Sequence, residues 1–165
     1  MIFVIGPLFS GKQDYIMQAL GWSETDFLEK AVRDVQNLAA EAAEAVEVEE
    51  AAGAVEVAEA AEAVEIAEAA ETDGVVGAAE AAEAVEASHS PLDDLQEKLR
   101  SLADRLSQKE VVIATETGCG VIPLDSRERR NREAAGRLSC LLAERAETVV
   151  RVCCGIPQVL KGSGF

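Results

Sequence analysis

The first twenty residues constrain this chain more than any others. MIFVIGPLFSGKQDYIMQAL opens with an apolar run over 1–5, passes through a loop bounded by Gly6 and Gly11, and resumes at Lys12 as a helix-like segment to Leu20. A short continuous apolar run suits a strand buried on both faces, as strands are in parallel sheets. Gly6-Pro7-Leu8-Phe9-Ser10-Gly11-Lys12 is G-x-x-x-x-G-K. A strand before it and a helix after it is the context a phosphate-binding loop requires. Glycines let backbone N–H groups curl around phosphates, and a helix N-terminus adds partial positive charge. Lys12 would reach the β- and γ-phosphates. The other reading is a glycine-rich strand–helix turn with no ligand. The full motif ends in Ser or Thr, whose hydroxyl binds Mg²⁺; Gln13 stands there instead. Its amide oxygen is longer and differently placed, so phosphate binding is better supported than catalysis.

The rest of the chain repeats the alternation. Gly21 is a natural helix stop, and Ser23 with Asp26 three residues on signals the start of a second helix over 24–40. Ser90, Pro91, Asp93 and Asp94 announce a helix to about Ser107, with Leu92, Leu95, Leu99, Leu102 and Leu106 on one face. EVVIAT (110–115) and TVVRVC (148–153) read as two more strands. Asp125 and Glu128 form a capping-box pattern for a helix to about Arg145. GIPQVLKGSGF reads as loop and tail. Strands separated by helices imply an α/β fold: a P-loop NTPase-like parallel sheet with flanking helices. Three strands and 4% aromatics make a small core, and self-association into a homo-oligomer is expected to complete it.

One segment breaks this pattern. From Glu41, every third position through Glu86 is Glu or Gly, the glycines being Gly53, Gly74 and Gly77. Residues 41–87 carry 15 acidic side chains and no Lys or Arg, which leaves 15 basic against 16 acidic residues elsewhere. A period of three displaces each Glu by about 60° from the last on a helix, so the charges wind around it and leave no apolar stripe. The tract reads as a low-complexity Glu/Ala insert, helical or disordered. It divides the chain into a 1–40 strand–loop–helix unit with the following helix, the insert at 41–87, and an 88–165 half that completes the domain. An acidic interaction arm is the alternative. Without a basic surplus, nucleic acid is not an expected partner. No apolar run is long enough for a membrane span. MIFVI lacks a basic lead-in and reads as a strand, so a cytoplasmic location is expected. The four cysteines, Cys119, Cys140, Cys153 and Cys154, have no CxxC spacing and read as reduced, packed thiols.

The second strand ends in Thr115-Glu116-Thr117-Gly118-Cys119-Gly120-Val121-Ile122-Pro123. Ligands of open parallel sheets sit beyond the carboxyl ends of the strands. Glu116 is placed there to hold Mg²⁺ through water or to accept a hydroxyl proton; otherwise it is a solvated loop acid. Arg127, Arg129, Arg130 and Arg132 form a basic cluster at a helix start. Arg129 and Arg132 share a face, suited to a phosphate or an acidic substrate group. The alternative is salt-bridging to Glu128 and Glu133.

VVIATETGCGVIP followed by RERRNREAAGRLSCLLAERAETVVRVCCGIPQVLK resembles the C-terminal half of the adenosylcobinamide kinase/adenosylcobinamide-phosphate guanylyltransferase family of cobalamin biosynthesis. The matching positions are Glu116, Gly118, Gly120, Pro123, Arg129, Arg132, Gly136, Arg137, Gly155 and Lys161. Thr115, Ser139 and Cys154 depart from the family's usual Asn, Asn and Ser. The resemblance implies phosphorylation of the aminopropanol hydroxyl of adenosylcobinamide by ATP or GTP with Mg²⁺. Gly6, Pro7, Leu8, Phe9, Ser10, Gly11, Lys12 and Gln13, with Arg129 and Arg132, would then hold the nucleotide. Lys12 and Glu116 would be catalytic, and Glu116 would serve the metal. The family's guanylyl-carrying histidine has one candidate, His89, which lies in SHSP without that motif's basic neighbours. Two other readings stand beside this one: a nucleotide- or corrinoid-binding relative without Mg²⁺ chemistry, and an interaction protein acting through the acidic tract.

Overall fold

The computed structural model describes residues 1–68, 91–118 and 120–164. Five strands form one sheet in the order β2-β3-β1-β4-β5. β1 (Ile2–Gly6) is central and runs parallel to β3 (Val111–Thr115) and β4 (Thr148–Cys153). β2 (Ala31–Val32) extends the parallel part beside β3, and β5 (Ile156–Lys161) adds an antiparallel edge beside β4. The fold is α/β with helices on both sheet faces. No helix among the described residues is long and apolar enough to cross a membrane.

The apolar strand runs are explained by two cores. Phe3, Val112, Ala114 and Val149 point to one face, while Val4, Val111, Ile113, Val150 and Val152 point to the other. The second face is covered by α1 (Lys12–Leu20) and α2 (Glu24–Lys30), which contribute Ile16 and Phe27. The first is covered by α3 (Val35–Glu68), α4 (Pro91–Ser107) and α5 (Ser126–Arg145). Leu95, Leu99, Leu102 and Leu106 of the expected stripe are buried there, whereas Leu92 is exposed. Ser90 and its capping role lie outside the described residues.

Local signals set most boundaries. Gly21 takes a left-handed φ of 64° and stops α1. Ser23 and Asp26 form a reciprocal capping box at α2. At α5 the cap is simpler than the sequence suggests: Asp125 accepts from the Arg127 amide at 2.7 Å, and Glu128 does not complete a box.

Four expectations are corrected. The 24–40 helix is broken, because Ala31 and Val32 pair with Val111 and Val112 at the open edge of β3. Asp34 then adopts a φ of 55° before α3 begins. The closing loop is a strand: β5 pairs along β4 and exposes Ile156, Val159 and Leu160. Pro157 is tolerated because this strand lies at the edge. Cys140, Cys153 and Cys154 are exposed rather than packed.

The fourth correction concerns the acidic tract. The stripe begun by Val35 and Ala39 ahead of it continues into its first turns through Ala43 and Val46, and all four are buried against α4, α5 and the sheet. At about 100° per residue these four fall within roughly 80° of arc, and Glu47 and Glu49 flank them on opposite sides. The flanking charges meet cations on the neighbouring helices. Glu47 pairs with Arg130 and Glu44 with Arg127 of α5, while Glu49 pairs with Lys98 of α4 at 2.7 Å. Exposed pairs of this kind contribute about 0–1 kcal/mol each, so burial of the apolar stripe contributes more to holding the helix in place. The drift of the three-residue period leaves this arc free of Glu for three turns only.

Candidate active site

The carboxyl ends of β1, β2, β3 and β4 open on the same edge of the sheet, where ligands of such folds bind. β1 delivers Gly6 to that edge. A side chain at Gly6 would collide with the Val152 carbonyl and stand 2.9 Å from Ser10 Oγ, so the loop begins where only glycine fits. The loop turns through Phe9 at a φ of 56° and Gly11 at 82°, and α1 starts at Lys12. Gly11 supplies no side-chain cap. The first amides of a helix have no in-helix acceptors, so this uncapped end suits an anion.

Lys12 folds back over the loop. Its Nζ donates to the Gly6 carbonyl at 2.9 Å, the Pro7 carbonyl at 2.6 Å and Ser10 Oγ at 3.4 Å. Burial lowers its pKa, and the negative charges of Asp34 and Glu116 oppose that shift. The loop is also braced from the turn between β4 and β5, since the Gly155 amide donates to the Ser10 carbonyl at 2.9 Å. Leu8 and Phe9 are exposed at the loop's outer rim.

A cleft of about 470 Å³ lies beside the loop, lined by residues 8–14 with Phe27, Arg33, Asp34, Ile113 and Thr115. A larger cleft of about 760 Å³ between α3 and α4 is lined by Glu41, Glu49, Lys98 and Arg105, away from the strand ends. Of the two, the smaller cleft holds Lys12 and the start of α1.

Arg33 and Asp34 were not legible as site residues, since their segment reads as continuous helix. The strand end created by β2 places them in the cleft. Gln36 staples this end to β3: its Oε1 accepts from the Thr115 amide at 3.0 Å, and its Nε2 donates to Asp34 Oδ1 at 3.2 Å. The only sequence signal was the apolar pair Ala31–Val32 ahead of two charged residues.

Glu116 leaves β3 beside the loop, with its amide donating to the Gly6 carbonyl at 2.9 Å. Both its carboxylate oxygens accept from Arg151 of β4, at 3.1 and 3.0 Å. Arg151 is thus a further residue that sequence spacing did not single out.

Arg129 and Arg132 point into their own loop rather than into the cleft. Arg129 donates to the carbonyls of Pro123 at 3.0 Å and Leu124 at 2.6 Å. Arg132 donates to Val121 at 2.9 Å, to Gly120 at 3.4 Å and to Gly118. Among the described residues Glu133 pairs with Arg137, while the neighbouring Arg127 and Arg130 pair with Glu44 and Glu47 of α3. Lys161, at the end of β5, donates to the carbonyls of Ala143 and Glu144 and so closes the C-terminus of α5. Cys119 and His89 lie outside the described residues.

The family model for cobinamide kinase / cobinamide phosphate guanyltransferase matches residues 73–160, more than half of the chain. The chain belongs to this family. Within it, the bifunctional adenosylcobalamin biosynthesis protein CobP of Pseudomonas aeruginosa is 38% identical over 71 residues. That match covers 43% of this chain and 41% of the relative's length. The family match runs through the 116–124 loop, α5, β4 and nearly all of β5. The loop from Gly6 to Lys12 precedes it and rests on its own motif and geometry.

Proposed function

We propose that this family member binds a purine nucleoside triphosphate at its first loop and transfers the γ-phosphate to the aminopropanol hydroxyl of adenosylcobinamide. The observation that carries this reading is the placement of Lys12: a half-buried ammonium at an uncapped helix start, facing a cleft at the strand ends. Entering phosphates would exchange the carbonyl partners of Lys12 for phosphate oxygens, which are stronger acceptors. The amides at the start of α1 would hold the remaining charge.

The cleft offers hard oxygens, the Gln13 amide and the Asp34 carboxylate, and the Glu116 charge acts on Lys12 at its edge; hard oxygens suit Mg²⁺. Gln13 and Asp34 would hold the ion, with Glu116 reaching it through water. Bound there, Mg²⁺ would neutralise charge developing on the phosphates. Arg151 fixes the orientation of Glu116, and Asp34 is a carboxylate within the cleft that can accept the hydroxyl proton. The nucleotide base, ATP or GTP, belongs to the same proposal, as do a cytoplasmic location and assembly as a homo-oligomer.

A second reading is favoured by Gln13 and by the engagement of both Glu116 oxygens: a nucleotide binder without Mg²⁺ chemistry. One assay separates the two. Purified protein is incubated with adenosylcobinamide and Mg²⁺-ATP or Mg²⁺-GTP, with an active relative as control. Phosphorylated corrinoid supports the kinase. Nucleotide binding without product, unaffected by Mg²⁺, supports the second reading.

A further inference from the structure

The turn between β4 and β5 carries two adjacent thiols that the proposed phosphoryl transfer does not use. Cys154 and Gly155 are its two central residues, with φ of 52° and 77°. Both angles are positive, as a tight two-residue hairpin of matching twist demands, and a cysteine at the first position is unusual there. Cys153 and Cys154 are both exposed, with their Sγ atoms 3.9 Å apart.

That separation decides what the pair can do. A disulfide needs sulfurs about 2.05 Å apart and Cα atoms about 4.4–6.8 Å apart. Consecutive Cα atoms are only about 3.8 Å apart, so oxidation of this pair would be strained. A soft metal bonded to two thiolates at about 2.3 Å in tetrahedral geometry holds its sulfurs about 3.8 Å apart. The thiols therefore already stand at the bite of a metal dithiolate and not at that of a disulfide.

We propose that Cys153 and Cys154 form a chelating site for a soft, thiophilic divalent metal ion, and that its occupancy stiffens the turn that braces the phosphate loop. As the two metal–sulfur bonds form, each thiol releases its proton to solvent. No electrons are transferred, and water fills the other coordination positions. The mechanical link is short. Gly155 follows the pair directly, and its amide donates to the Ser10 carbonyl at 2.9 Å. Its Cα would stand only 3.3 Å from a side chain on Gly11. Fixing the two side chains thus fixes a turn already seated on the loop.

The test uses the full chain, reduced, with Cd²⁺ alone as probe and no nucleotide, so it stands or falls independently of the kinase reading. Thiolate-to-cadmium absorption should saturate at one equivalent, and exchange of the Gly155 amide should slow. Cys153→Ser and Cys154→Ser should each weaken binding roughly tenfold or more, because one thiol loses the chelate advantage. The double variant Cys119→Ser/Cys140→Ser should bind as the parent does. Three results would overturn the site: undiminished binding in Cys153→Ser, loss of binding in the Cys119→Ser/Cys140→Ser variant, or Cd²⁺ found only in cross-linked dimers.

Discussion

Two glycine-containing loops leave adjacent parallel strands at the same edge of the sheet, and they are held in opposite ways. The loop from Gly6 to Lys12 is organised mostly by its own residues: Lys12 gathers the Gly6 and Pro7 carbonyls, and the Gly155 amide adds one brace. The loop from Glu116 to Leu124 is held from outside, by Arg129 and Arg132 reaching from α5 to its carbonyls. The first loop leaves the amides at the start of α1 without a side-chain cap. The second commits two cations to its own backbone. Basic residues in a motif can therefore shape a loop through its carbonyls, from within it as Lys12 does or from the next helix as Arg129 and Arg132 do.

Substitutions can break this contrast, and the largest effect belongs to Gly6. Gly6→Ala forces a methyl against the Val152 carbonyl, within a packed sheet whose backbone cannot retreat. Overpacking of this kind costs about 1–3 kcal/mol or more, and a urea titration should show the loss in the absence of any ligand. Lys12→Ala should do the reverse. It removes charge-assisted bonds worth roughly 1.5–3 kcal/mol to a bound triphosphate, about 10- to 100-fold in affinity by calorimetry. Unfolding stability should hold, because a partly desolvated charge is removed as well.

The same lysine gives a pH signature. Burial lowers its pKa in the folded chain, so the folded state releases this proton at lower pH than the unfolded chain does. Between the folded pKa and the unfolded value near 10.5, the unfolded state binds more protons, and this group's contribution to stability rises with pH. Nucleotide affinity should fall across the same alkaline window as Lys12 loses its charge. The fall should vanish in Lys12→Ala.

Arg132→Ala sharpens the comparison further. If its guanidinium serves the loop, amide exchange over 118–122 should accelerate while nucleotide affinity changes less than about threefold. A loss as large as that of Lys12→Ala would instead return Arg132 to the phosphate site. The smallest effect is far from both loops. The Ser23 hydroxyl, with help from Lys30, holds the Asp26 carboxyl at about 2. In Ser23→Ala that value should climb back toward 3.8, as followed by NMR titration. Stability contributed by the capping box is present above the unfolded value and fades as pH falls toward about 2.

The parts of the fold that could be read from the chain were those decided by neighbours in sequence. The strands at 1–5, 110–115 and 148–153 are short apolar runs, and Gly21, Ser23 and Asp125 mark helix ends through bonds to residues within four positions. The strand–loop–helix unit around Gly6 and Gly11 was legible for the same reason. β2 was not, because Ala31 and Val32 acquire strand geometry only by pairing with Val111 and Val112, about eighty residues away. Asp34, Arg33 and Gln36 entered the site with it. Arg151 was hidden differently, as one polar residue inside an apolar strand whose partner Glu116 lies 35 positions away. In the tract, the repeat drew attention to its period and away from the single arc where Ala43 and Val46 could be buried.

The sequence by itself determined an α/β scaffold, a glycine-bounded loop ending in Lys12 at its head and a family motif at its tail, because each is written in short-range spacing and burial periodicity. Tertiary structure alone decided which charges face the cleft, since Glu44 and Glu47 found partners on α5 and Arg132 on the loop before it, while Asp34 and Lys12 were brought to the same edge. A charge is assigned by the nearest opposite group or carbonyl in space, and chain separation places no limit on where that group lies.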